Sequence, residues 1–406
     1  MTCLTKVRFA DTSTPVLVLG SNHYGSLSIT RTLGRLGVNV HVHESNGMAP
    51  VFYSKYCQGK FVWTDAATSP KKTVNYLLEV AEKIGERSIL IPYSDENANT
   101  LSKYAEELRE HYIFPNISPE IVRSVSNKKE MHFLARRNDV HTPEACFPES
   151  KLELEKYAEY AKFPIMLKPI CSHSRTGGGT NYLVKTREQL FSLYDRYENL
   201  SDPNLFVQEY IPGGNESSWM FNGYFNERSE CLFGMTGRKI RQSPPGAGIT
   251  SLGVCERNDA ILETSKRFIT SLGYKGMIDI DYRYDSRDGK YKILDINPRV
   301  GLTFRLFVGD NGLDVVQVAY MDLTGQPVPA SQIVNGRKFL VEDSYLLSTF
   351  NHSFSDKSVY SEVANSFRGV QETAYFSSDD PDPFFIMGLR TASNIFKRFS
   401  RFSLQS

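Results

Sequence analysis

The clearest alternation of apolar and polar positions lies between Gly276 and Gly301, in GMIDIDYRYDSRDGKYKILDINPRVG. Ile278, Ile280 and Tyr282 alternate with Asp279, Asp281 and Arg283, which predicts a strand with one buried face. Ser286-Arg287-Asp288-Gly289 has turn chemistry. Tyr291, Ile293 and then Asp295-Ile296-Asn297-Pro298-Arg299 predict the returning strand, with Asp295 and Asn297 on one face. Pairing about the turn would bring Asp281 near them. Two carboxylates and a carboxamide would then share one small volume, with Arg299 beside them. Carboxylates that close raise each other's pKa unless a cation lies between them. Few hard oxygen ligands suffice for Mg²⁺ when substrate phosphates complete its shell. The plainer reading is an exposed acidic hairpin, because Asp and Asn also favour turns.

The amino-terminal third predicts α/β structure. Pro15–Leu19 is an apolar strand, Gly20–Gly25 its turn, and residues 26–36 a helix with Leu27, Leu33 and Leu36 as apolar positions. Val38–Val42 and Ser88–Pro92 are further strands. Gly20-x₄-Gly25 is similar to a P-loop, but Ser26 stands where Lys is required, and G-x-G-x-x-G is absent. Ligands of open α/β sheets bind beyond the carboxyl ends of strands. The Gly20–Gly25 and Ser94–Asn97 loops are therefore candidates for an acceptor substrate, against a reading as ordinary βα turns. His41 and His43 share a strand face and predict a buried or edge-packed pair.

Three segments between these regions carry candidate chemistry. Asn127-Lys128-Lys129-Glu130 opens an amphipathic helix with Met131, Phe133 and Leu134 on one side. Ile165–Leu167 is a short apolar run ending at Lys168-Pro169, followed by a polar loop with Gly177, Gly178 and Gly179 in succession. Glycines without Cβ let the backbone approach an anion and aim N–H groups at it. Phe206–Trp219 predicts a strand, a turn at Pro212-Gly213-Gly214 and a second strand. Such a connection can offer backbone groups to an adenine edge.

In this order the segments resemble the ATP-grasp superfamily, over roughly residues 15 to 325. Within it the chain looks most like the ATP-dependent carboxylate–amine ligases, the D-aspartate ligase type included. Gly237–Gly248, GRKIRQSPPGAG, is similar to the basic segment that precedes the metal strands there. The resemblance implies ATP and Mg²⁺ as cofactors, with one or two ions and Mn²⁺ as a substitute. It implies Lys128 and Lys168 on the ATP phosphates, and the loop from Ser174 through Gly177, Gly178 and Gly179 to Thr180 closing over them. Glu209, Tyr210 and Ile211 would line the adenine site, mainly through backbone, and Glu216 would hold the ribose. Asp281, Asp295 and Asn297 would bind metal. Arg299, with Arg238, Lys239 or Arg241, would neutralise the transferring phosphoryl group; Arg299, Arg241 and Lys168 are the expected catalytic set. Asp295 stands where Glu is usual and is one methylene shorter, which bears on the number of ions.

The resemblance implies an amino-terminal α/β domain over 1–125, an ATP-grasp domain over 126–329 with the nucleotide between two subdomains, and a carboxyl-terminal extension over 330–406. The expected substrates are a small-molecule carboxylate and an amine, joined with release of ADP and phosphate. Another acceptor chemistry, or a non-catalytic nucleotide-binding role, is the alternative. A homodimer is a further expectation from the superfamily.

Composition narrows the class. The 406 residues exceed one typical domain. A net charge of +1 gives no global pull towards nucleic acid. The six cysteines are scattered without C-x-x-C, as in a reduced cytoplasmic protein, and the first residues have no apolar h-region. From Pro383 the chain changes character. Phe385, Leu389, Ala392, Phe396 and Phe399 predict one helical face, Arg390, Lys397 and Arg401 the other, and no acidic residue follows Asp382. Two readings follow: a helix docked on its own domain, or a functional face for peripheral membrane contact or a partner groove.

Overall fold

The computed structural model describes residues 7–20, 23–63, 69–171, 181–243, 248–345 and 367–402, with side chains of the last helix described to residue 393. The chain builds three sheets. The first is parallel: β1 (Val16–Leu19), β2 (Val40–Glu44), β3 (Cys57–Val62), β4 (Ser88–Pro92) and β5 (Tyr112–Ile113), ordered β3-β2-β1-β4-β5. Val16–Leu19 is apolar at every position because a central parallel strand is covered on both faces, and all four residues are buried. β1 pairs with both β2 and β4, so the loops after β1 and β4 flank one crevice. The helix after β1 spans Tyr24–Gly34, slightly earlier than its pattern suggests. His43 is buried edge-on against Trp63 and Tyr76.

The second sheet is antiparallel: β6 (Ala145–Cys146), β7 (Ile165–Pro169), β8 (Tyr182–Val184) and β9 (Leu205–Glu209), ordered β6-β9-β7-β8. Its core is its own, built on Leu154, Ile165, Leu167, Leu190 and Val207. The third sheet holds β10 (Ser218–Phe225), β11 (Cys231–Ser243), β12 (Ile249–Cys255), β13 (Gly276–Asp285), β14 (Lys290–Asn297), β15 (Lys338–Leu340) and β16 (Val370–Thr373), in the order β14-β13-β10-β11-β12-β15-β16. The first and third sheets share one core, in which Val18, Leu27 and Ile91 join Phe304, Phe307 and Val316.

The residues from 330 onward are not an appendage to this architecture. β15 pairs with β12 and β16 with β15, so the carboxyl-terminal segment completes the large sheet. The same segment grips the amino-terminal helix. Buried Arg31 donates to the Asp380 carboxylate at 2.8 Å and to the carbonyls of Tyr375 and Asp380. The last helix spans Asp382–Phe402. Among its described side chains it docks through Phe384 and Met387, while Phe396 and Phe399 of the predicted stripe lie outside them. Phe385 and Leu389 are 62% and 63% exposed. Among the described residues no helix is long and apolar enough to cross a membrane.

Candidate active site

Strand pairing brings the acidic residues together. β13 and β14 are antiparallel, with Asp281 opposite Asp295 and Asp279 opposite Asn297. Ile278, Ile280 and Tyr282 are buried on the far face. Gly289, at φ +71°, makes the tight turn between the strands. A bulge follows Asp281, and Arg283 turns inward to donate to the carbonyls of Ile211 and Gly213, at 2.8 and 2.6 Å, and to Ser218 Oγ. Arg283 thus ties the metal-type strand to the connection that joins the second and third sheets.

Between those sheets lies a cavity of about 140 Å³, lined by Lys128, Lys168, Gln208, Glu209, Tyr210, Ile211, Lys239, Asp281 and Asp295 among others. Lysines face the acids across it. Lys239 Nζ lies 2.8 Å from Asp281, and Lys128 Nζ lies 3.4 Å from Asp295. Lys168, buried at the end of β7, donates to Gln208 Oε1 at 2.7 Å. Burial first, and Lys128 second, lower the Lys168 pKa to about 8. Lys128 is fixed by the helix Lys128–Arg137, whose cap Asn127 accepts from the N–H groups of Lys129 and Glu130. On that helix Met131 and Ala135 are buried, whereas Phe133 is 45% exposed.

Arg299 follows directly on β14 and reaches the amino-terminal domain. Its Nε lies 3.4 Å from Asp95, and it donates to Asn297 Oδ1 at 3.1 Å. Burial opposes its charge, but Asp95 and Asp279 outweigh that and raise its pKa. Ser94 caps the helix Asp95–Lys103, so this loop is a helix entry at the crevice. Asp279 points to the same place. Burial and then Asp281 push its carboxyl up to about 6.

Several predicted site residues stand elsewhere. Arg241 is not among the cavity-lining residues, and its guanidinium stacks 4.9 Å from the Tyr345 ring. The register shift at Lys239–Arg241 turns Lys239 into the cavity in its place. Glu216 is exposed and accepts from its neighbour Gly214 N–H, so its carboxylate closes a local turn outside the cavity. Glu209 lines the cavity, but its carboxylate is engaged by Arg287 and Lys292, at 2.9 and 3.1 Å, which leaves backbone for a ligand. Ser174, Gly177, Gly178, Gly179 and Thr180 lie outside the described residues. Asp279 and Gln208 went unselected in the sequence. Period-2 alternation puts Asp279 on the face of Asp281, and that signal was available.

Among the described residues no three His, Cys, Asp or Glu side chains form a metal cage by themselves. Asp281 and Asp295 fit a hard cation that shares its shell with a ligand's oxygens, whereas Asn297 is not among the cavity-lining residues and its Oδ1 accepts from Arg299. The lysine ammonium groups already placed on Asp281 and Asp295 mark where positive charge is favoured.

No family model matches the chain. It is 26% identical to a D-aspartate ligase from Enterococcus faecium over 324 residues, 75% of this chain and 76% of that protein. In structure it is similar to N5-carboxyaminoimidazole synthetase from Staphylococcus aureus complexed with ADP, at TM-score 0.62 and 13% identity, covering 82% of each chain. It is also similar to an L-amino acid ligase from Bacillus licheniformis, at TM-score 0.58 and 13% identity, over 77% of this chain and 75% of that one. The chain has the ATP-grasp fold and, within that superfamily, resembles the ATP-dependent carboxylate–amine ligases of the D-aspartate ligase type.

Proposed function

We propose that this protein is an ATP-dependent ligase that activates a substrate carboxylate as an acyl phosphate and joins it to an amine, releasing ADP and phosphate. The observation that carries this reading is the opposed Asp281–Asp295 pair facing Lys128, Lys168 and Lys239 in one cavity between two sheets. The nucleotide's base would lie against the backbone of Glu209–Ile211. Its phosphates would run towards Lys168 and Lys128. Asp281 and Asp295 would hold Mg²⁺, which when bound neutralises charge on the β- and γ-phosphoryl oxygens.

The chain's own residues then position and stabilise. A substrate carboxylate oxygen attacks the γ-phosphorus as the bond to the ADP oxygen breaks. Lys168 and Lys239 stabilise negative charge spread over the transferring group. Arg299, anchored by Asp95 and Asn297, offers a fixed positive charge at the crevice for the acid. The unprotonated amine, its ammonium proton given to solvent, attacks the acyl carbon as the bond to the phosphate oxygen breaks, its second proton leaves with phosphate, and no Ser, Cys or His nucleophile is required. The sheets bring the partners together and exclude water.

The test is ADP and phosphate release with Mg-ATP, D-aspartate first and then pools of amino acids and short carboxylates, with hydroxylamine as trap. Acid-dependent ADP release with hydroxamate supports the reading and names the acid. AMP in place of ADP refutes it. ADP without hydroxamate redirects it to another acceptor chemistry.

We also propose that the exposed stripe of the last helix is a membrane-surface contact. Phe385, Leu389 and Ala392 are exposed, and the sequence beyond Asp382 carries four basic residues and no acidic one. An anionic bilayer would attract that charge and bury that stripe.

A further inference from the structure

The lysines of the cavity between the second and third sheets are not equivalent. Lys239 lies on Asp281 and Lys128 on Asp295, so each faces a carboxylate. Glu209 also lines the cavity, but Arg287 and Lys292 hold its carboxylate. Lys168 forms no ion pair among the described residues. Its ammonium donates instead to the side chain of Gln208, at 2.7 Å. An ammonium has no acceptor and an amide nitrogen accepts nothing, so the bond runs from Nζ to Oε1. Both residues are buried, Lys168 at 9% exposed and Gln208 at 4%.

Strand pairing fixes this contact. Gln208 stands opposite Met166 on β7 and opposite Ala145 on β6, so β9 is held on both sides at this residue. Lys168 is two residues beyond Met166 and on the same strand face, which makes it the diagonal neighbour of Gln208. Long side chains reach each other from such positions. Met166, Lys168 and Gln208 all line the cavity. The residue types decide what the contact does. A carboxylate at 208 would tie up Lys168 in an ion pair and add a negative charge facing any phosphate. The amide carbonyl occupies one N–H bond of the ammonium and cancels none of its charge, which leaves two donors for a ligand.

We propose that Gln208 is a positioning residue, whose neutral side chain holds the Lys168 ammonium in the cavity and leaves its charge for the phosphates of the nucleotide. The charged groups facing Lys168 are Lys128 from the helix start, Asp295 from β14, and Asp281 and Arg283 from β13. Both of these acids already carry another lysine. The amide is therefore the acceptor that lets a buried ammonium keep its proton without an anion of its own. Burial sets Lys168 close to losing that proton, with a pKa lowered to about 8, so one neighbouring residue can move the balance either way. This inference rests on the nucleotide-binding part of the proposed function and is independent of which acid and amine are joined.

The test is calorimetric binding of Mg-ADP to the whole chain across roughly pH 6.5–9.5. Wild-type affinity is expected to fall as pH rises through about 8, where Lys168 loses its proton. Gln208→Glu favours the charged lysine but pairs it. The fall is expected to move up by about one pH unit, and affinity near neutral pH to drop about tenfold. Gln208→Met keeps the length and removes the acceptor, so the fall is expected to move below pH 8. Lys168→Arg added to either variant is expected to abolish the inflection. A residue that only packs, or that only touches the base, would not displace the profile in opposite directions. An unmoved inflection in both variants, or displacement of both in the same direction, overturns the proposal. Thermal unfolding shows whether each variant folds; if Gln208→Glu does not, an unmoved inflection in Gln208→Met suffices to overturn it. Absence of ADP binding to the wild type would sink this inference together with the nucleotide site. ADP binding with no hydroxamate from any acid would sink the ligase reading alone, and the displaced pH profiles would still support the role of Gln208.

Discussion

Asp281 and Asp295 oppose each other across two paired strands, yet each is neutralised by a different lysine from a different element, Lys239 from β11 and Lys128 from a helix start. In the proposed reading, both lysines would yield when a divalent ion takes their place, and both would then face the phosphates that arrive with it. Replacing either acid removes one lysine's ion pair without emptying the core. Asp281→Asn and Asp295→Asn are expected to lower kcat/KM at least ~10³-fold, about 4 kcal/mol, with melting temperature nearly unchanged. A coupled ADP assay and thermal unfolding check both halves. Wild-type turnover in either variant removes the metal assignment.

Lys168 gives a pH signature. Its pKa is lowered to about 8 by burial and by Lys128, so it loses its proton as pH rises through 8. Phosphate binding needs the charged form. The KM for ATP is therefore expected to rise about fivefold between pH 8 and pH 9, the fall in protonated fraction for a pKa of 8. Lys168→Arg should abolish that inflection. For the ligand-free protein, burial penalises the charged lysine in full below pH 8. That penalty is relieved between pH 8 and the unfolded value near 10.5, so this group makes stability rise with pH over that window.

Arg283 is expected to set nucleotide affinity without touching phosphate. Its three hydrogen bonds hold Ile211, Gly213 and Ser218. Arg283→Met removes charged donors from buried carbonyls, costing about 2–3 kcal/mol. Urea unfolding measures that loss. The KM for ATP should rise severalfold while kcat changes less, because in the proposed reading the connection would hold the base and not the reacting phosphoryl.

The Arg31–Asp380 pair is a buried staple between the first helix and the end of the chain. Asp380→Ala leaves Arg31 charged and buried, and is expected to cost about 3–5 kcal/mol. Arg31→Met with Asp380→Ala should recover part of that loss. Equal unfolding midpoints for the single variant and the wild type would show the pair to be inert.

The exposed stripe of the last helix is tested on vesicles. Phe385→Ser with Leu389→Ser should reduce sedimentation with anionic phosphatidylglycerol vesicles at least fivefold and leave ATP turnover intact. Both residues are more than half exposed, so little core is lost. Unchanged sedimentation, or none with the wild type, removes the membrane reading.

Much of the site was legible because it rests on local pattern. The period-2 stretch at 278–283 and its turn at 286–289 specified the β13–β14 hairpin, and with it the meeting of Asp281 and Asp295. Lys128 and Lys168 were marked by the element ends they occupy. What could not be read depended on register between distant strands. A bulge in β11 decides between Lys239 and Arg241, and nothing in GRKIRQ announces it. The partner of Arg299 lies over 200 positions earlier, at Asp95. The stripe on the last helix was visible, but Phe384 and Met387 dock the helix because they meet the core around Pro50–Tyr53 and β16, whose position the helix itself does not encode.

The strand order of the large sheet also sets a constraint on synthesis. β12 has no outer neighbour until residues 338–340 are made, and β15 none until 370–373. A growing chain therefore presents an open sheet edge beside the ATP-grasp strands while the residues between Cys255 and Thr373 are being added. Such edges are where wrong pairing begins. Release of an incomplete chain, stopped anywhere between 300 and 370, should yield aggregate in place of a shortened but working protein.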